Sequence, residues 1–273
     1  MSSKTEALQE LVRSSVSRRE FAKRTMAGTL AAAGTMALAQ AQVFAQSSTD
    51  VAILNFALNL EYLEAEFYTV ATTGQRIAEA GIAVTGRGAS GPTVGGAQVS
   101  LDNNVRTVAA HVTLDEQQHV RFLRAALGSQ AIAKPAINLE ALNLGFRTQA
   151  EFLILSRAFE DLGVTAYGGA AKLIDNANIL EAAARIALTE AQHAGVFRYL
   201  AFLSGAVNPQ VDNKDVPTLG SPNGRLFQVD GNGLSTIRTA GEVLKVAYGG
   251  TANARSGGFF PNGVNGDITQ ASA

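Results

Sequence analysis

Residues Glu116-Gln117-Gln118-His119 and Glu190-Ala191-Gln192-His193 are two copies of one pattern, a glutamate followed three positions later by a histidine. Both copies lie in segments with apolar residues at three- and four-residue spacing, which predicts helices. Residues three apart share one face of a helix, so each pair presents a carboxylate and an imidazole towards the same point. The chain has only three histidines, and this pattern contains two of them.

The helix faces that carry these two pairs are apolar. The neighbours on those faces are Ala109, Val112, Val120 and Leu123 for the first pair and Ala183, Ile186, Ala194 and Phe197 for the second. We therefore expect both pairs to point into the protein core. Burying an unpaired carboxylate costs several kcal/mol or more, so each needs a cation, a proton or a dense set of hydrogen bonds.

In the residues around these motifs, the spacing of apolar side chains predicts four long helices. Their expected ranges are 50–72, 102–127, 149–174 and 177–204. The end signals are Asp50 and Asp102 as N-caps, Thr148 with Glu151 as a capping box, and Gly128 and Gly205 after the second and fourth helices. Four long amphipathic helices indicate an all-α fold in which residues 46–205 form a four-helix bundle.

Two irregular regions accompany the predicted bundle. The glycine-rich stretch from Gly81 to Ser100 is too long for a tight turn, so we expect a long loop between helices 1 and 2 that has room for a short hairpin. From residue 206 to 273 the composition shifts to Asn, Gly and Pro. We predict an irregular C-terminal extension packed on the bundle, with one short helix at 235–248 capped by Ser235.

The first and third predicted helices each add one inward-facing acid, Glu61 and Glu160. Each is followed seven residues later by a tyrosine, Tyr68 or Tyr167, so the chain reads as an internal two-fold repeat. The tyrosines are candidates for hydrogen bonds behind the metal ligands, for radical relays, or for plain core packing. Glu64, one turn after Glu61, could replace or join it. The candidate metal ligands are Glu61, Glu116, His119, Glu160, Glu190 and His193.

Several charged neighbours are expected to lie outside this site. We predict that Glu66 faces solvent or a neighbouring helix and that Asp115 and Asp161 are surface charges. His111 lies eight residues before His119 and is more typical of a packing residue than of a ligand.

The absence of cysteine restricts the chemistry of any metal site. It excludes thiolate ligands, iron–sulfur clusters and disulfides, and leaves histidine and carboxylates as the strong ligands. Two divalent cations would be balanced by four carboxylates, and the ligand types fit Fe or Mn, with Zn also permitted. Open coordination positions would allow oxygen or peroxide to react.

The N-terminus and the charge balance predict where the protein acts. Ser17-Arg18-Arg19-Glu20-Phe21 followed by an apolar run from Met26 to Ala39 resembles a twin-arginine export signal over residues 1–45. The run is about 13 residues, short of the roughly 20 that span a bilayer, so no membrane anchor is expected after cleavage. Six of the 22 basic and three of the 23 acidic residues precede residue 46, which leaves a net charge of −4 and gives no sign of a nucleic-acid partner. We expect a periplasmic or extracellular protein.

Four stretches carry a family resemblance. They are Leu58 to Tyr68, Phe159 to Tyr167, Arg238 to Leu244 and Gly257 to Gly263. Together they resemble the ferritin-like domain family that includes desiccation-related proteins of plants and exported bacterial relatives, over about 50–266. The resemblance implies a ferritin-like bundle and a link to drying or oxidative stress.

The same resemblance implies roles for the six candidate ligands in a di-iron or di-manganese carboxylate centre. It implies that Glu116 and Glu190 bridge or flank the two metals, that Glu61 and Glu160 are terminal ligands, and that His119 and His193 bind one metal each.

Three functions remain open on the sequence alone. The first is a di-iron or di-manganese oxidoreductase, acting as a ferroxidase, a peroxidase or a catalase, with oxygen or peroxide as its small-molecule substrate. The second is a structural, desiccation-protective protein that binds metal only for stability or not at all. The third is a metal buffer without turnover. A homo-oligomer is compatible with each of them.

Overall fold

The computed structural model describes residues 47–206 and 210–273, so the predicted signal in residues 1–45 lies outside the described residues. The described α-helices and strands, in chain order, are α1 (Ser48–Thr73), β1 (Thr93–Val94), α2 (Asn103–Leu127), β2 (Ile137–Asn138), α3 (Gln149–Ala170), α4 (Ala177–Leu203) and α5 (Ala240–Ala247), and short 3₁₀ helices follow α2 (Gly128–Gln130) and α3 (Ala171–Leu173). Helix α1 packs along α2, and α3 packs along α4. The two pairs meet through α1 with α3 and α2 with α4, so the predicted all-α four-helix bundle is confirmed. Within the described ranges, no helix is both long enough and apolar enough to cross a membrane.

The helix starts follow the sequence signals in part. Asp102 caps α2 as predicted, because its carboxylate accepts hydrogen bonds from the backbone N–H groups of Asn104 and Val105. Asp50 is not the cap of α1, and that prediction was wrong. Ser47 takes the role by accepting from the backbone N–H of Asp50, which leaves the Asp50 carboxylate to accept from the backbone of Asp175 at 2.9 Å.

The start of α3 shows half of its predicted capping box. The Thr148 side chain accepts from the backbone N–H of Glu151, as expected. The Glu151 carboxylate does not reach back to Thr148. It accepts instead from the backbone N–H groups of Gly145 and Arg147 and pairs with the Arg147 side chain, because the preceding loop folds back towards it.

The short helix of the C-terminal extension begins later than predicted. Thr239 caps α5 in a full capping box with Glu242, so the prediction of a start near Ser235 was wrong. Just before this cap, Arg238 donates to Thr165 of α3 from both its backbone and its side chain. These bonds hold the chain in a non-helical conformation until residue 239.

Helix α1 is buried on all sides. Every residue from Ile53 to Ala71 is buried, whereas α2 and α4 each keep a solvent-exposed face. Two neighbouring helices cannot enclose a third, so the remaining side of α1 needs other cover. The loops provide it: the Tyr62 hydroxyl donates to the carbonyl of Ile132, and the Phe67 ring meets that of Phe146 with centroids 5.2 Å apart.

The glycine-rich loop contains no hairpin among its described residues, so the suggestion of one was wrong. Its strand β1 pairs in parallel with β2, which lies in the loop between α2 and α3. Gly91 explains the close approach of the two loops, because a Cβ there would lie 2.3 Å from the backbone nitrogen of Ala136. The two loops therefore form one layer over α1.

A buried charge network ties the extension to α3 and α4. The Arg157 side chain lies 2.6 Å from an oxygen of Asp215, and the Arg198 side chain lies 2.5 Å from an oxygen of Asp161. Burial raises the pKa of Asp161 to about 6 although Arg198 and Arg157 oppose the shift. The prediction that Asp161 is a surface charge was wrong, because the extension covers it.

Asn265 joins three parts of the chain. Its backbone exchanges two hydrogen bonds with the Asn59 side chain on α1. Its side chain bonds to the backbone of Ala89 in the first loop and donates to the carbonyl of Ala133 in the second. One asparagine of the extension therefore holds both loops against α1.

We expect Asn265→Ala to lower the free energy of unfolding by about 1–3 kcal/mol, because it removes the side-chain hydrogen bonds to both loops and leaves the carbonyl of the buried Ala133 without this donor. Urea unfolding followed by circular dichroism measures the change. Asn262→Ala, an exposed asparagine in the same segment, is the matched control and should change stability by less than about 0.5 kcal/mol. Equal effects of the two substitutions would contradict this role of Asn265.

Candidate metal centre

The structure brings all six predicted ligand residues to one place in the middle of the bundle. Helices α1 and α3 provide one glutamate each, and α2 and α4 provide one glutamate–histidine pair each. All six side chains are buried: Glu61, Glu116, His119, Glu160, Glu190 and His193. Each helix therefore contributes to the site at one level of the bundle.

The six residues form two overlapping groups. In each group, one donor atom of every residue lies within 4.8 Å of the others. The first group is Glu61, Glu116, His119 and Glu190, and the second is Glu116, Glu160, Glu190 and His193. Glu116 and Glu190 belong to both groups. Their shared position is the one that the family resemblance implies for bridging ligands.

The donor spacing in the first group suits a metal ion. The Nδ1 atom of His119 lies 3.2 Å from oxygens of Glu61 and Glu116. It also lies 3.1 Å from an oxygen of Glu190. Two donors bound at right angles to one ion, each about 2.1 Å from it, are about 3.0 Å apart. The four side chains are spaced as neighbouring ligands would be.

The second group has the same spacing. The Nδ1 atom of His193 lies 3.0 Å from Glu116 and 3.2 Å from Glu160. Despite these short distances, His193 Nδ1, Glu116 Oε1 and all four oxygens of Glu160 and Glu190 have no hydrogen-bond partner among the described residues. Buried carboxylate oxygens without partners are costly. Oxygens that converge without pairing fit a cation between them.

The pKa values of the clustered side chains also favour a bound cation. Burial raises the pKa of Glu190 to about 8 and that of Glu116 to about 7, with further contributions from the negative charges of neighbouring glutamates. Burial alone would lower the pKa values of His119 and His193, but the surrounding carboxylates outweigh it and raise both well above the usual range. Without a cation the centre therefore retains protons, which a metal would displace.

Asp115 contacts the centre, which the sequence analysis missed. Its carboxylate lies 3.2 Å from Nε2 of His193, and its side chain is 50% exposed. Once a metal displaced the proton on Nδ1, a proton on Nε2 shared with Asp115 would leave the Nδ1 lone pair of His193 available to the ion. The prediction that Asp115 is a surface charge was correct, because half of its side chain is exposed. The prediction that it points away from the site was wrong, because it contacts His193. No sequence rule reports this interaction, because it joins α2 to α4.

Each tyrosine approaches the glutamate of the other half of the repeat. The Tyr167 hydroxyl donates to Glu61 at 2.5 Å. Tyr68 stacks on Phe197, and its hydroxyl is buried without a hydrogen-bond partner in the described part of the chain. Burial raises the pKa values of both tyrosines, reinforced by Glu61 for Tyr167 and by Glu160 for Tyr68. Both phenols therefore stay protonated beside candidate ligands.

Glu64 belongs to neither group of donors. Burial and the charge of Glu190 raise its pKa well above the ordinary value. Gly163 permits this arrangement, since a Cβ there would lie 2.9 Å from an oxygen of Glu190 and 3.3 Å from one of Glu64. A glycine inside a helix costs about 1 kcal/mol relative to alanine, and the close carboxylates explain its presence.

Two other neighbours lie outside the centre. Glu66 is buried and its carboxylate contacts loop residues, so the prediction that it faces solvent or a neighbouring helix was wrong. It accepts a hydrogen bond from Thr93 and lies 3.7 Å from the Lys134 ammonium, both in the loop layer over α1. His111 is exposed on α2.

The four-helix bundle and its buried carboxylate–histidine cluster define a class of protein that the sequence comparisons identify. The model of the ferritin-like domain matches residues 49–202, more than half of the chain, so the chain belongs to the ferritin-like domain family. Among characterised proteins, it is similar to the ferritin-like catalase Nec2 of Nesocodon mauritianus. The two are 26% identical over 269 aligned residues, which cover 81% of this chain and 85% of Nec2.

We expect the metal-free protein to lose stability as the pH rises from about 5 to about 8. Glu190 titrates near pH 8 in the folded protein and near 4.5 when unperturbed, so over this range the folded state holds a proton that the unfolded chain has released. The raised pKa values of His119 and His193 act in the same direction above pH 6.5. Thermal melting in the presence of a chelator measures the effect.

Glu190→Gln is the matched variant for this experiment, because it keeps the shape of the side chain and removes its titration. Its melting temperature should fall less steeply with pH than that of the unmodified protein. A melting temperature that is constant or increases over this range would contradict the assigned protonation.

Proposed function

We propose that the chain is a di-metal carboxylate protein that holds two Fe or two Mn ions and consumes hydrogen peroxide. The observation that carries the proposal is the pair of overlapping donor groups, with their unpaired buried oxygens. The similarity to a protein named a ferritin-like catalase supports peroxide as the substrate.

The donor chemistry favours Fe or Mn. Four carboxylates carry a charge of −4, which two divalent ions neutralise. The donor set is rich in oxygen, contains two imidazoles and lacks sulfur, which suits Mn and Fe. Each group offers four residues to one ion, and metals that prefer octahedral coordination would keep positions for a small substrate.

Bound metals would supply a two-electron redox pair, as peroxide decomposition requires, because one peroxide molecule is reduced while another is oxidised. The protein supplies position and exclusion of water. Glu116 and Glu190, which belong to both donor groups, would be shared by the two ions. Asp115 orients His193, and the Tyr167 hydroxyl holds a proton at one oxygen of Glu61. These contacts prepare the ligands before any substrate arrives.

The cellular setting completes the proposal. A twin-arginine-type signal in residues 1–45 would export the protein to the periplasm or beyond, where peroxide consumption would protect against oxidative stress or drying. Cell fractionation of the full-length chain, beside a variant with Arg18 and Arg19 changed to lysine, tests the export. An unchanged location of the variant would contradict it.

We expect the purified protein to contain about two Fe or Mn ions per chain and to decompose hydrogen peroxide. A double variant with His119→Ala and His193→Ala should lose most of the metal and the turnover, because the two substitutions together remove the histidine donor of both groups. His111→Ala, an exposed histidine on α2, is the control and should retain both. Elemental analysis and oxygen release measure the two properties.

The possible results separate the three candidate functions. Metal bound without peroxide turnover would favour a metal buffer. An unmodified protein that folds stably and binds no metal would contradict the proposal and favour a structural, protective role.

We expect Asp115→Ala to weaken Mn²⁺ binding by about 10- to 100-fold, because His193 loses the group that orients its ring. Competition with a fluorescent chelator measures the affinity. Asp267→Ala, which removes an exposed carboxylate in the extension, should leave the affinity unchanged. Equal affinities of the two variants would show that Asp115 does not act on the centre.

A further inference from the structure

A cavity of about 680 Å³ lies beside the metal centre. Its walls come from α1, α3, the loop before α3, and the C-terminal extension, including residues 210–213, α5 and the chain end at Ala273. This volume is within the range of small-molecule sites, about 300–1,000 Å³. Hydrogen peroxide alone would need far less space.

Most of the wall is apolar. Leu60, Leu63, Leu155, Phe159, Leu162 and Phe259 contribute to it. Charged groups of the extension lie among the lining residues and pair with one another or with neighbours. Lys245 donates to the carbonyl of Ala273, and Glu242 pairs with Lys214 at 2.8 Å. The free part of the cavity therefore suits the hydrocarbon body of a ligand.

Two residues of the wall lie next to the centre, Glu64 and Gly163. Glu64 is only 4% exposed, and no hydrogen bond or ion pair joins its carboxyl group to another described residue. Gly163 has no side chain to separate the cavity from Glu190, since even a Cβ there would lie 2.9 Å from an oxygen of that ligand. Where the cavity meets the centre, the carboxyl group of Glu64 has no partner, and no side chain at Gly163 separates the cavity from Glu190.

We propose that this cavity binds a small organic alcohol or hydroperoxide, with its hydrocarbon body against the apolar wall and its polar head at Glu64, next to the metal centre. A buried carboxyl group without a partner is satisfied by a hydroxyl that can both donate and accept a hydrogen bond. The binding itself needs no metal. The role of the ligand as a substrate rests on the proposed function. An organic hydroperoxide would then be reduced to its alcohol and water, while hydrogen peroxide supplies the two electrons and is oxidised to oxygen, which extends the substrate class beyond hydrogen peroxide.

Cumyl alcohol is the probe, because it has a phenyl body, a hydroxyl head and no oxidising group. Isothermal titration measures its binding to the full mature protein. Ala158→Phe adds a ring at a half-buried wall position and should weaken binding at least tenfold. Ala184→Phe makes the same change on the exposed face of α4 and should leave binding unchanged. No binding to the unmodified protein, or equal binding to both variants, would overturn the proposal.

Glu64→Leu tests where the hydroxyl group of the ligand binds. Opposite changes for two ligands distinguish this effect from a general loss of the fold. The substitution should weaken the binding of cumyl alcohol and strengthen that of cumene, which has the same body without the hydroxyl. A parallel change for both ligands would place the hydroxyl elsewhere and overturn the assignment of Glu64.

A separate measurement tests whether the bound cumyl alcohol lies close to the metal centre. Protein loaded with Mn²⁺ should accelerate the proton relaxation of bound cumyl alcohol relative to protein loaded with Zn²⁺. Equal relaxation with Mn²⁺ bound would overturn the placement beside the centre. A protein that takes up neither ion would defeat the proposed function, while the titration with Ala158→Phe would still decide whether the cavity binds the alcohol.

Discussion

The mutual repulsion of four glutamates buried in one small volume is the constraint on which the rest of this structure depends. Glu61, Glu116, Glu160 and Glu190 come from four different helices, so the fold itself forces them together. Their charge must be compensated by protons or by cations, and burial beside other carboxylates raises the pKa values of Glu116 and Glu190, which favours retained protons when only protein groups are present. Two divalent ions would compensate the charge without holding the carboxylates in the neutral form. Metal binding at this centre would therefore be coupled to folding stability.

The burial of α1 explains why the chain is longer than a bare four-helix bundle. A helix that carries Asn55, Asn59, Glu61, Glu64 and Glu66 in its buried part cannot be covered by apolar side chains alone, because each polar group needs a partner. The loops and the extension provide backbone partners for the two asparagines, and the loop layer provides Lys134 and Thr93 for Glu66. Glu61 contributes to the metal centre, and Glu64 lies between the centre and the large cavity. The extension thus completes the environment of α1 as well as the wall of that cavity.

The sequence predicted the features that depend on short-range spacing. The four long helices and the convergence of the glutamate–histidine pairs follow from helical periodicity, in which residues three apart share a face. Contacts between distant segments were not predictable in this way. Asp115 meets His193 across two helices, Asp161 is covered by the extension, and Thr239 replaces Ser235 as a cap because Arg238 is bound to α3. The pairing of the two loops was missed for the same reason, since glycine composition alone does not indicate which backbone a loop approaches.

The internal repeat produces a two-fold arrangement of candidate ligands, but the two donor groups are not equivalent. The contacts around the ligands differ between the halves. Tyr167 donates a hydrogen bond to Glu61, whereas Tyr68 makes none to Glu160, and His193 has an acidic partner in Asp115. A carboxylate that accepts a hydrogen bond from a phenol donates less charge to a metal, and an imidazole that shares its proton with a carboxylate donates more. The ion near Glu61 and His119 would consequently be the more electron-poor of the two. Such an asymmetry lets two ions with the same ligand types differ in redox potential and in their affinity for substrate.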